Sequence, residues 1–282
     1  MPYDRRSFLG VLGAAMLGRM VPASRAVTAA LPPRAKLAEI GIQLYSVRRQ
    51  AAADLPGTLS KLAAIGYKEV ELAGYYDHSA AAFRDLLVKN GLAAPSGHIA
   101  IELIETQPES TFADAHTVGH EWITVPSLPR GSHETTDAWS QVASRFNSAA
   151  SAAKLAGFRF AFHNHNDIVK RTGAVLPIDI LMKETDPALV SFQMDISWAV
   201  DGGADPLALL ARYPGRFKML HVKDGLRPPN DTQTDVGAGA IDFKAIFAHA
   251  RGIEHYFVES DSAADPLAFT AHSYTYLSNL EF

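Results

Sequence analysis

The 282-residue sequence contains no cysteine. It has no disulfide framework, and no thiolate can hold a metal. A bound metal would have to sit on His, Asp, Glu or water, which points to Mn, Mg, Co or a carboxylate-rich Zn site rather than a structural zinc knot. Nor is there an excess of positive charge. Lys and Arg number 26 against 30 Asp and Glu, a net of −4. Residues 1–26 hold four Arg and one Asp, so the rest of the chain stands at −7. An acidic chain is a poor match for a phosphate backbone, which excludes nucleic acid as a partner. The apolar run from Phe8 to Leu17 falls short of the roughly 20 residues a bilayer span needs. Finally, GIQLYSVRR, the first strand candidate, is not followed by a GxGxxG nucleotide loop.

The N-terminus reads as a segment apart. In DRRSFLGVLGAAMLGRMVPASRA, Arg5-Arg6 precede Phe8-Leu9 and a short run of small apolar residues. Ser24 and Ala26 provide the small residues of a cleavage site. This pattern resembles a twin-arginine export signal over residues 1–26, which would place the mature protein in the periplasm with no membrane span. Residues 27–37 are rich in Ala and Pro and read as a linker. Residues 38–282 then form a single catalytic domain.

Within that domain, short apolar runs alternate with helical patterns. The runs are IGIQLYSV, YKEVELA, AAPSGHI, WITVPSL, FRFAFHN, LVSFQMDI, FKMLHVK and HYFVES. Most are rich in β-branched or aromatic residues and lie beside turn or polar residues. Between them, DLPGTLSKLAAIG, SAAAFRDLLVKNG, DAWSQVASRFNSAASAAKLAG and DPLALLARYPG have helical spacing, with capping residues at or near the start and Gly at the end. Eight strands alternating with helices imply a parallel sheet closed as a (β/α)8 TIM barrel, in preference to an open doubly wound sheet.

In such a barrel the reactive groups project from the C-terminal ends of the strands. Strand one ends near Gln43 and Tyr45, strand two at Glu71 and strand three at His98. Strand five ends in His163-Asn164-His165, strand six at Asp195, strand seven at His221 and strand eight at Glu259. A single polar strand end is weak evidence. However, His163, Asp195, His221 and Glu259 are spaced by 32, 26 and 38 residues, each about one βα repeat. They therefore share one rim and supply the N and O ligands that a divalent ion takes. Period-two alternation turns His163 and His165 to one side and Asn164 to the other, so Asn164 reads as structural.

GIQLYSVR, GYKEVELAG, GLAAPSGH, HNH, DISW, HVKDG, VGAGAIDF and VES follow one another as in the sugar isomerase/epimerase family with the xylose isomerase-like TIM barrel, which the chain resembles over nearly all of residues 38–282. The resemblance implies a divalent metal held by Glu, Asp, His and Glu, most often Mn, with Co, Zn, Mg and Fe as alternatives. Asp195, His221 and Glu259 match three of these positions. At the fourth, His163 stands where many members carry Glu. The chemistry implied is proton transfer next to the carbonyl of a sugar or keto-sugar.

The expected catalytic residues are Glu259, His163 and Lys223, and the expected substrate contacts are His98, His165, Glu71 and Trp198. Glu71 could instead brace strand one, and Lys223 could be a rim residue paired with Asp224. With only one of the two carboxylates present, a two-carboxylate epimerase is in doubt, and an isomerase, or a lyase or hydratase acting on a keto-glycoside, becomes the alternative. Two further readings are a metal-dependent endonuclease, opposed by the negative charge, and a non-catalytic exported sugar-binding barrel. The expected partner is a small-molecule sugar, and association into a homo-oligomer is left open. The remaining histidines, at 78, 116, 120, 133, 249, 255 and 272, read as surface or packing residues. VGAGAIDF, residues 236–243, reads as a tight loop entering a helix with Asp242 near its cap, and not as a nucleotide site.

Overall fold

The computed structural model describes residues 35–129, 131, 133–172, 175–226 and 232–282. The expected export signal and most of the linker lie outside the described residues. The barrel strands are β1 (Gly41–Gln43), β2 (Glu69–Leu72), β3 (Ala93–His98), β4 (Trp122–Val125), β5 (Arg159–His163), β6 (Val190–Asp195), β7 (Phe217–Val222) and β10 (His255–Val258). Between the last two, β8 (Asp224–Gly225) and β9 (Gln233–Thr234) pair as a small antiparallel ribbon. The eight barrel strands are parallel and close in the order β1-β10-β7-β6-β5-β4-β3-β2. The (β/α)8 fold expected from the sequence is therefore the fold observed.

The helices are α1 (Arg48–Ala53), α2 (Leu55–Ile65), α3 (Ala80–Asn90), α4 (Ile101–Thr106), α5 (Pro108–Val118), α6 (Thr136–Leu155), α7 (Pro177–Glu184), α8 (Ile196–Asp201), α9 (Pro206–Arg212), α10 (Phe243–His249) and α11 (Pro266–Asn279). Their starts follow from side-chain oxygens that accept otherwise unpartnered backbone N–H groups. Asp54 caps α2, Ser79 caps α3, Thr135 caps α6, Asp205 caps α9 and Asp242 caps α10. Gly91 ends α3 in the left-handed region at φ 62°, as glycine allows without strain. No helix among the described residues is long and apolar enough to cross a membrane.

Alternation along the strands sorts the side chains into two bodies. Ile42, Val70, Ile123, Phe160, Phe162, Phe192, Leu220, Val222 and Val258 face outward and join the main core under the helices. Trp122, Ala161, Met219 and Phe257 face inward and form a separate apolar plug inside the barrel, each fully buried. Gly41 makes room for it, because a Cβ there would lie 2.5 Å from Phe257 Cδ1. One step further along the strands come Gln43, Glu71, Ser96, Thr124 and Gln193, all fully buried and polar. The register sets Gln43 beside Glu71, Glu71 beside Ser96, His163 beside Gln193 and Asp195 beside His221. Pro95 lies inside β3, where it cannot donate a ladder bond. The β2–β3 register shifts opposite it, as a bulge permits.

Candidate metal centre and active site

Four side chains converge above the polar belt. His163, Asp195, His221 and Glu259 each offer one ligand atom, and these atoms all lie within 4.8 Å of one another. Each comes from the C-terminal end of its strand or the residue just after it, and each is buried. Two imidazole nitrogens and two carboxylate oxygens are a set that borderline divalent ions accept. Asp195 Oδ2 is buried with Lys223 Nζ 2.9 Å away, and a carboxylate oxygen has lone pairs for both that cation and a bound ion. The donor set therefore fits a divalent ion.

Buried Glu71 determines how the two histidines present themselves. It accepts from Gln43 Nε2 at 2.8 Å, Ser96 Oγ at 2.6 Å, Gln193 Nε2 at 2.8 Å and His221 Nε2 at 2.5 Å. Because His221 donates from Nε2 to Glu71, its Nδ1 is the nitrogen that faces the centre, 2.9 Å from Glu259 Oε2. Burial alone would lower the His221 pKa, but Glu259 and Glu71 together push it up to about 10. Without a metal, the ring is thus an imidazolium bridging two carboxylates. Gln193 is fixed by the same logic. Its amide nitrogen donates to Glu71, so its oxygen is the atom 2.9 Å from His163 Nδ1. Nδ1 then carries the proton, and Nε2 of His163 keeps its lone pair for the centre. Burial, reinforced by the neighbouring His221, His98 and His165 rings, holds the His163 pKa well below its ordinary value. His163 is neutral, as a metal ligand must be.

Lys223 is 1 % exposed, which is exceptional for an unpaired lysine and understandable here. Its Nζ lies 2.9 Å from Asp195 Oδ2, 2.7 Å from Glu259 Oε2 and 2.8 Å from Asp261 Oδ2. The rim lysine paired with Asp224 is thereby overturned. Residues 223 and 224 are neighbours and point opposite ways. The Asp224 carboxylate instead accepts the backbone N–H groups of Gly237, Gly239 and Ile241 and holds the VGAGA loop in place. Gly239 is needed there, since a Cβ would sit 2.1 Å from Asp224 Oδ1. Burial would raise the Glu259 pKa, but Lys223 and His221 outweigh it and hold that carboxyl well below its ordinary range. Both cations meet Oε2 of Glu259.

The remaining expected residues occupy distinct places. His98 is half-buried, stacks on His221 with ring centres 5.3 Å apart, and has Nε2 3.0 Å from Gln193 Oε1. His165 and Trp198 are half-buried neighbours, their rings 5.5 Å apart, and His165 lies edge-on to His163 at 5.0 Å. Glu71 departs from a substrate contact. It is fully buried in the barrel interior and braces Gln43 on strand one, the other role open to it. Asn164 has its side-chain Oδ1 accept from the Asp195 N–H at 3.0 Å, while its Nδ2 donates to the Asp195 carbonyl at 3.3 Å. It continues the β5–β6 ladder past the end of β5 and fixes Asp195. Gln193 and Asp261 are functional neighbours that reading the strand ends passes over. The signal for both is the period of two, since each lies two residues from a ligand position, Asp195 or Glu259.

Known proteins bear on this arrangement at several levels. The model of the xylose isomerase-like TIM barrel family matches residues 59–259. The chain is 27 % identical over 271 residues to an inosose dehydratase of Geobacillus kaustophilus, an alignment covering 79 % of this chain and 87 % of the relative. A sugar phosphate isomerase/epimerase structure from Parabacteroides distasonis superposes with a TM-score of 0.75 at 27 % identity, over 92 % of this chain and 98 % of that one. The IOLI protein, whose structure holds a bound zinc atom, shares the fold with a TM-score of 0.64 at 14 % identity, over 85 % of this chain and 95 % of that one. With the matched region covering the barrel from α2 to the end of β10, the chain belongs to the xylose isomerase-like TIM barrel family.

Proposed function

We propose that the protein is a metal-dependent lyase that removes the proton next to the carbonyl of a keto-sugar and expels the oxygen substituent one carbon further on. The observation that carries this reading is the asymmetry across the centre. On one side stands ionised Glu259, and on the other stands neutral His163 with its lone pair inward. An epimerase of the two-carboxylate kind takes a proton from one face of a carbon and returns it on the other. His163 has no inward proton to return. An elimination needs a base on one face only.

His163, Asp195, His221 and Glu259 would hold the ion, which when bound supplies positive charge where negative charge develops on the carbonyl oxygen. Glu259 is the base. Its Oε2 faces Lys223 and His221, so Oε1 is the atom that takes the proton. The C–H electron pair becomes the new carbon–carbon double bond, and the β carbon–oxygen bond breaks with its pair on oxygen. That oxygen leaves after gaining a proton at the half-buried His165, beside Trp198. Lys223 keeps Glu259 anionic between turnovers. The dehydratase name of a relative that aligns over most of both chains agrees with this chemistry.

An aldose–ketose isomerase is the second reading. It also begins with a single base on one face, and the name of a structural neighbour at 27 % identity favours it. Both are tested by incubating Mn- or Zn-loaded protein with 3-keto-glucose in D2O and following the reaction by NMR. Elimination releases the β-oxygen substituent and forms an enone. Isomerisation places deuterium in a rearranged sugar with nothing released. If no keto-sugar exchanges its α-proton, the sugar-binding barrel replaces both.

A further inference from the structure

Beside the charged centre lies a cavity of about 760 Å3 between α8, α9, the β8–β9 ribbon and the start of α10. Cavities of about 300–1,000 Å3 take drug-sized ligands, so this one has room for more than a single sugar ring. Leu207, Leu226, Ile241 and Ile246 make one wall apolar. Asp201, Asp205 and Asp242 line the rest with one lysine, Lys170, whose Nζ lies 3.5 Å from Asp201 Oδ2. Among the described residues the balance of charge is negative, which disfavours a phosphate.

Two residues join this cavity to the centre. Trp198 lines it and places its ring 5.4 Å from Lys223 Nζ, and its buried indole Nε1 has no hydrogen-bond partner among the described residues. Gln233 also lines it and donates from Nε2 to Asp261 Oδ2, at 2.6 Å, the oxygen that Lys223 meets.

We infer that this cavity holds the leaving group of the substrate, an uncharged, largely apolar ring attached through oxygen, so that the substrate is a neutral keto-glycoside rather than a sugar phosphate. The inference rests on the elimination reading of the centre. For the anomeric oxygen to leave, the carbonyl must stand two carbons from the anomeric carbon. That makes the substrate a 3-keto-glycoside. Glu259 takes the C2 proton, the C–H pair forms the C1–C2 double bond, and the C1–O bond breaks with its pair on the departing oxygen, which is then protonated.

The test compares phenyl 3-keto-glucoside with free 3-keto-glucose on the metal-loaded protein, and measures calorimetric binding of neutral 4-methoxyphenol. Ala204, a half-buried residue of the cavity wall, is replaced by Trp to fill the space. Leu226→Ala is the gentler variant, at a residue 45 % exposed. We expect KM for the phenyl glycoside to be at least ten-fold below that for the free sugar. Ala204→Trp should remove most of that advantage and abolish 4-methoxyphenol binding, with the free sugar unaffected. Leu226→Ala should raise the phenyl glycoside KM about three-fold. Equal KM values for the two substrates, with no binding of 4-methoxyphenol, overturn the cavity assignment while leaving elimination standing. Binding of 4-methoxyphenol that Ala204→Trp removes, without turnover of either sugar, overturns elimination and leaves the cavity as a site for an uncharged ring.

Discussion

Replacing Glu71 by Gln removes one negative charge and almost no volume, and it tests whether this residue governs the centre from below. The carboxylate presents two acceptor oxygens. Oε1 takes Ser96 and Gln193, and Oε2 takes Gln43 and His221. A glutamine has one oxygen and one NH2 group, so an NH2 at Oε2 opposes Gln43 and His221, whereas one at Oε1 opposes Gln193 while the Ser96 hydroxyl can turn to accept. One or two hydrogen bonds to a charged group are lost, each worth about 1.5–3 kcal/mol, or about 1.5–6 kcal/mol in all. Linkage supplies an independent figure. Burial would raise the Glu71 pKa, but His98 and His221 prevail and bring it from 4.5 to about 2. A depressed carboxyl contributes stability above its unfolded pKa and loses it as pH falls through the folded value. Here that amounts to about 3 kcal/mol, lost between about pH 4.5 and 2.

In a domain of this size the melting temperature of the metal-free variant should fall by roughly 3–20 °C. If the new oxygen faces His221, Gln193 must turn its own amide over and present nitrogen to His163. The proton then moves from Nδ1 to Nε2, and the lone pair turns away from the centre. Zn affinity, measured by titration, should fall by about 10–100-fold although none of the four ligands has changed. 15N NMR of the His163 ring reads the tautomer directly. A variant that melts within a degree or two of the parent, binds Zn equally and keeps the Nδ1–H form refutes the reasoning.

Lys223→Met leaves Asp195, Glu259 and Asp261 without their shared cation and should cost about 3–5 kcal/mol in the metal-free protein, read by urea denaturation. Added Zn should then raise the variant's melting temperature more than the parent's. Gly41→Ala drives a Cβ into Phe257 and should cost about 1–3 kcal/mol, recovered in part by adding Phe257→Leu in a double-mutant cycle. On the opposite face of the barrel, His255 Nδ1 lies 2.9 Å from Glu69 Oε2. Burial would lower the His255 pKa, but Glu69, helped by Glu121 and Glu254, raises it. The stability it contributes is complete below about pH 6.5 and is lost as pH rises through the higher folded value. Urea midpoints measured from pH 5.5 to 8.5 should therefore decline in the parent and be flatter in Glu69→Gln.

The barrel was legible because its strands are short β-branched or aromatic runs and each connection between them has room for a helix. Its four convergent residues were legible because a strand end is a local feature. Distance along the chain does not reveal the partners of Lys223, for which the sequence left a catalytic role and a rim pairing with Asp224 both open. Asp224 is next to it in sequence but is turned to the backbone of the VGAGA loop, whereas Asp195 and Asp261 are 28 and 38 residues away and in contact. Glu71 was ambiguous for a related reason. Nothing in VELAG shows whether a strand end reaches the mouth or stops in the interior, because that depends on how far β2 is staggered against its neighbours. The tautomer of His163 is a property of a chain of three side chains on β2, β5 and β6, and no single segment contains it.

The apolar plug of Trp122, Ala161, Met219 and Phe257 gives the barrel a floor. Among the described residues the plug closes the barrel below the charged centre, so a substrate of the proposed reaction would enter and leave on the rim side. Both fragments of a cleaved molecule would use that passage in turn, and the one lodged deeper must be the last to go. The fragment still in residence would compete with fresh substrate for the same room, so inhibition by product would belong to the architecture of the molecule as much as to its chemistry.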